Sequence, residues 1–224
     1  MRVLERPPRL PVTRRANGNT PPPLPPTGGG DGPDREPFPR RSGLDNLRLA
    51  MLFFIGAESM FFAALISALF VLRVGQPFWP PPFQPRLPVA VTAVNTLVLL
   101  ASSITMVGAT RALAAGLRRT LVERLGATAA LGALFLLIQG YEWIRLIEFG
   151  LTLTSGSYGV TFYTLIGFHA LHVLGALVWV LATVRLAAHD RFRDGGGTPV
   201  KACAMYWHFV VGLWPILYVA VYLV

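Results

Sequence analysis

Five acidic or histidine side chains sit inside long apolar stretches of this 224-residue sequence: Glu58, Glu142, His169, His172 and His208. A carboxylate at mid-bilayer costs about 2.5 kcal/mol or more, so an intramembrane acid or histidine is a functional candidate by default. Metal binding is one chemistry open to such a set. A di-iron site in a helical bundle needs Glu-x-x-His pairs on two helices, and the sequence has none. A bis-histidine haem sandwich needs histidines at matching depths on two helices. Here His169 and His172 are one turn apart on one run, and His208 lies near the start of another. The lone Cys203 excludes an internal disulfide and a multi-cysteine metal site. Proton exchange and interhelical hydrogen bonding remain.

Local spacing divides the two acids. Glu142, in QGYEWIRLIEF, has Arg145 three residues on, so a Glu–Arg pair on one helix face and a structural role are expected. Glu58 has Phe54, Ile55, Phe61 and Phe62 at its i±3 and i±4 positions and no polar partner among them. Aromatic surroundings disfavour a charge, which makes Glu58 a shielded acid able to donate a hydrogen bond or to exchange a proton. His169 and His172, spaced i, i+3, share a face. With Tyr206, Trp207 and His208 they are expected to pack and to hydrogen-bond between helices.

The elements that must hold these groups are apolar runs of about 20 residues or more, the length that crosses a ~30 Å hydrocarbon core. They cover about 49–71, 87–109, 126–147, 160–184 and 202–224. The composition agrees: 53% hydrophobic and 14% charged, where a soluble domain carries about 25% charged residues. Continuous runs rather than alternating ones predict helices. Small residues among them, such as Gly132, Gly167 and Gly175, permit close contact. The expected fold is an all-α membrane protein, a bundle of five transmembrane helices over residues 44–224. Residues 1–43, with PPPLPPTGGGDGP, read as a disordered Pro/Gly/Arg-rich arm without the apolar core of a signal peptide.

The formal charge is +9. The basic residues lie in the arm and the loops, a pattern of membrane topology and not of nucleic-acid binding. Seventeen sit on the side of the N-terminus and the second and fourth loops; Arg73, Arg86 and Arg145 sit on the other. The positive-inside rule then puts the N-terminus in the cytoplasm and the C-terminus outside. Lys201 is the single lysine beside nineteen arginines, a bias that points to a GC-rich bacterial gene. Phe78, Trp79 and Phe83 in the Pro-stiffened first loop suit an interface.

Five stretches occur in the order of one known family: IGAESMFFAALISALFV with Glu58, LPVAVTAVNTLVLLASSIT with Asn95, QGYEW, SGSYGVTFYTLIGFHALHVLGALVW and MYWHFVVGLWPILYVAVYLV. From about Leu49 to Val224 the chain resembles subunit III of the haem–copper oxidases, most closely the cytochrome c oxidase type. The resemblance implies a non-catalytic subunit of a terminal oxidase of aerobic electron transport, in a bacterial cytoplasmic membrane. It implies no cofactor in this chain, with haem and copper in partner subunits. The implied partners are catalytic subunit I, subunit II, phospholipids and, more remotely, a respiratory supercomplex. Glu58 matches the family's carbodiimide-reactive glutamate, and Arg185 matches an arginine that contacts a phospholipid headgroup. Proton uptake and stability during oxygen reduction are the functions implied.

Two features depart from the family pattern. The seven-helix forms have two further helices before the first one here, and Val211 stands where the family commonly has Asp. Quinol oxidases and nitric oxide reductases have related accessory subunits, which is the alternative assignment. A proton-coupled transporter using Glu58 is the remote one, because internal repeats and broken mid-membrane helices are not found in the sequence.

Overall fold

Backbone amides in hydrocarbon must be satisfied within their own segment, and this chain meets the demand with helices. The computed structural model describes residues 44–79, 81, 87–189 and 197–223. They form α1 (Leu44–Val74), α2 (Val89–Ala114), α3 (Arg118–Glu148), α4 (Gly156–Ala188) and α5 (Thr198–Tyr218), the last running into a π-helical turn, Val219–Leu223. There is no strand among the described residues. All five helices are long and apolar enough to span a membrane. The protein is a five-helix transmembrane bundle. The arm at 1–43, and Phe83, Arg86, Arg191 and Arg193 of the loops, lie outside the described residues.

Most of the helices outrun the apolar stretches. α3 starts at Arg118 and not near Gly126, and α4 ends at Ala188 and not near Val184. Hydropathy marks only the hydrocarbon crossing, while charged and polar turns stay helical beyond it. The ends are set by specific stops. After α2 and after α3 the chain closes in a Schellman arrangement. Gly116 and Gly150 take positive φ (69° and 91°), and Leu117 and Leu151 donate back to the carbonyls of Ala112 and Leu146 at 2.9 Å. α5 starts at Thr198-Pro199, where the fixed φ of proline suits a first turn. Pro215 inside α5 lacks an N–H, and the π-turn follows it.

The packing shows heptad-like seams. Buried positions on α3 run Leu121, Leu125, Thr128, Gly132, Phe135, Gln139, Glu142 and Leu146. Those on α2 include Thr92, Asn95, Leu99, Ser102, Met106 and Ala109. Alternating steps of three and four keep both seams facing each other. A Cβ added at Gly132 would lie 2.5 Å from Cη2 of Trp207, so glycine is what lets α5 approach α3 here. At the other side of the bundle α1 packs against α4 and α5. Arg118, at the start of α3, donates to the carbonyls of Ala187 and Ala188 at the end of α4. A cation at those open carbonyls suits the helix dipole.

Candidate functional site

Glu58 is near the middle of α1, on the seam Met51–Ile55–Glu58–Phe62–Leu65–Leu69 that faces α4 and α5. Its Oε2 lies 2.9 Å from Nε2 of His172, near the middle of α4. The expectation from α1 alone, an acid without a partner, gives way to an interhelical pair. The other ring nitrogen of His172, Nδ1, is 2.6 Å from the carbonyl of Phe168. A carbonyl only accepts, so Nδ1 carries the hydrogen. Nε2 then meets Glu58 either as a lone pair receiving the carboxyl O–H or as an N–H donating to a carboxylate. The contact holds one proton and is neutral overall in both forms.

Aromatic rings enclose the pair. His172 stacks on Phe61 (centroids 6.4 Å apart, 26°) and meets Phe62 edge-on at 5.1 Å. Phe54 packs on Tyr206 of α5 at 5.6 Å, and Tyr206 in turn lies against Trp179. The site is not sealed: the side chains of Glu58 and His172 are 20% and 15% exposed, on the flank where α1 meets α4.

The other candidates fall elsewhere. His169, one turn before His172, is fully buried and stacked on Trp214 at 5.0 Å. Neither of its nitrogens has a hydrogen-bond partner among the described residues. The interhelical hydrogen bond expected of it is replaced by ring stacking, because Phe62 and Trp214 occupy its surroundings. His208 pairs through Nδ1 with Ser103 of α2, and Trp207 donates to Ser102 at 3.1 Å. Asn95 donates to the carbonyl of Phe135 at 3.1 Å. The Glu142–Arg145 pair is not formed. Arg145 extends over the rings of Tyr141 and Phe149, one turn to either side, whereas Glu142 is buried in the α3 seam near Tyr222. A three-residue step turns the two side chains to different surroundings here: bundle interior for the acid, surface for the cation. Arg185 is exposed in the last turn of α4, and no described residue pairs with its guanidinium.

Sequence reasoning missed the acceptors and donors of α2 and α5. Trp214 donates to Thr96 at 2.8 Å, Tyr218 to the carbonyl of Val89 at 3.1 Å, and Gln139 to Tyr222 at 3.4 Å. For the rungs of α2 the signal was present in the polar positions of the second run, Thr92, Asn95, Thr96, Ser102 and Ser103, which cluster on one face. Among the described residues no three of His, Cys, Asp and Glu converge as a metal site would require.

The comparisons agree with one another. The family model described as cytochrome c oxidase subunit III matches residues 41–224. A cytochrome c oxidase subunit 3 of Synechocystis sp. is 35% identical over 81% of this chain and 77% of its own length. One from Corynebacterium diphtheriae is 36% identical over 76% of this chain and 84% of its own. One from Loxodonta africana is 33% identical over 80% of this chain and 69% of its own.

Proposed function

The chain belongs to the cytochrome c oxidase subunit III family, and from that premise we propose that it packs on the catalytic subunit and subunit II of a cytochrome c-type terminal oxidase. It is a non-catalytic subunit of a haem–copper oxidase. Haem and copper belong to its partners. The membrane is the bacterial cytoplasmic membrane with the N-terminus inside, a reading supported by the seventeen-to-three partition of basic residues.

Within that complex Glu58 and His172 support proton supply. The single observation that carries this is their 2.9 Å contact in mid-bilayer, which holds one proton that either group can carry. As part of a non-catalytic subunit, Glu58 acts upstream of the oxygen chemistry. Arg185 takes a phospholipid headgroup: it is an exposed cation at the end of α4 with no protein partner among the described residues, and a phosphate is its natural counter-ion.

The test uses the intact complex. Glu58→Gln should leave initial oxygen reduction within about twofold of wild type, a change of about 0.4 kcal/mol in barrier. It should also abolish carbodiimide labelling of this chain and lower the protons taken up per oxygen reduced. Unchanged proton stoichiometry would remove the proton role. Loss of haem reduction would overturn the non-catalytic assignment of Glu58.

A further inference from the structure

His169 and Asn95 carry a hydrogen-bonding demand that the protein around them does not meet. His169 is fully buried and Asn95 is 1% exposed. Both ring nitrogens of His169 and the side-chain oxygen of Asn95 are without a hydrogen-bond partner among the described residues. The two residues lie around one indole. The ring of Trp214 stacks on His169 and meets Phe135 edge-on, each at 5.0 Å. Its N–H bonds Thr96 at 2.8 Å, and Asn95, next to Thr96, donates to the carbonyl of Phe135 at 3.1 Å. Phe62 of α1 lies against His169 from another side, at 6.3 Å. Nε1 of Trp143 is also unpartnered, but it lies more than two turns along α3 from Phe135, against Tyr163.

The chemistry of these atoms narrows what can serve them. A neutral imidazole presents one N–H and one lone pair, and the amide oxygen of Asn95 presents lone pairs alone. A dry core penalises each of them. A metal cation would take lone pairs and leave the N–H unmet; an anion would take the N–H and leave the lone pairs. Side chains of another subunit do not reach groups buried to this degree. Water is small, both donates and accepts, and is the molecule that bonds otherwise unsatisfied polar groups inside proteins.

We propose that water is bound in the core of the bundle in the layer around Trp214, held jointly by His169 of α4 and Asn95 of α2. The site differs from the Glu58–His172 contact, which is one turn away along α4 and partly open to the outside. It goes beyond the proton reading of that contact and does not depend on it.

Water-edited solid-state NMR on the purified complex, with 15N-histidine in this chain, tests the site. The ring-nitrogen signals of His169, identified by their loss in His169→Phe, should receive magnetisation from water in the wild type. Asn95→Leu should weaken that transfer, because it removes the other holder of the water. Absence of transfer to His169 in the wild type would overturn the proposal outright. Transfer undiminished by Asn95→Leu would overturn the shared hold. Unfolding temperatures give a second reading that needs no labelling: the drops caused by Asn95→Leu and His169→Phe should sum to more than the drop in the double variant. Strict additivity would count against a site common to both.

Discussion

α1 and α5 each carry an apolar run with a single acid or histidine inside it, Glu58 and His208, yet they are held in opposite ways. Half of the α5 spanning window is buried inside the protein, against 11% of the α1 window. α5 is laced to α2 by side-chain hydrogen bonds in antiparallel order: Trp207 to Ser102, His208 to Ser103, Trp214 to Thr96 and Tyr218 to Val89. α1 has one such link to the rest of the described chain, Glu58 to His172. Hydrophobicity cannot hold helices together in lipid, where the tails are as apolar as leucine; close packing and hydrogen bonds must. The rungs therefore make α2, α3 and α5 a scaffold, and the lone latch makes α1 an edge whose attachment and whose acid are the same group.

The largest effect should come from breaking the scaffold at its tightest point. Gly132→Leu drives a side chain into the rigid, buried indole of Trp207, and overpacking of this kind costs about 3 kcal/mol or more. The expected result is a strongly lowered unfolding temperature and poor recovery of the chain. A variant as stable as wild type would show that α3 and α5 are free to separate and that the scaffold is not one. Next in size is the latch. His172→Leu leaves the Glu58 carboxyl without its partner, at about 1 to 2 kcal/mol. The loss should stay local: faster hydrogen exchange along α1 with little change in α2 and α3. A uniform loss of protection over all helices would place α1 in the scaffold after all.

What the sequence made legible follows the same divide. Spanning helices are legible because lipid admits few backbone solutions and each run has to be about 20 residues long. The true ends were not, because they depend on Gly116, Gly150 and Thr198-Pro199, which terminate helices through backbone geometry that hydropathy does not register. Glu58 was legible as an anomaly, but its partner is 114 positions away on α4 and no spacing rule on one helix reaches it. Glu142 shows the reverse error: Arg145 was at the right spacing, and the bundle interior, which only tertiary structure defines, drew the acid away from it. His169 and His172 look equivalent in GFHALHV, and only the placement of Trp214 and Glu58 separates a stacked ring from a bonded one.

The smallest test compares one rung with the latch. Thr96 donates its own hydroxyl hydrogen to the carbonyl of Thr92 at 2.7 Å and accepts from the indole of Trp214 at 2.8 Å. Thr96→Val keeps the shape and removes the acceptor, which leaves one N–H unsatisfied. Interhelical hydrogen bonds in membrane bundles average about 0.6 kcal/mol and reach about 1.7. With three further rungs to hold the register of α2 against α5, the cost should sit at the lower value, as a small shift of the unfolding midpoint with no change in α1. If Thr96→Val instead cost more than His172→Leu, redundancy would not be what distinguishes the two regions. Trp214 would then be the keystone of the bundle, holding α2 by its N–H while its ring holds His169 of α4.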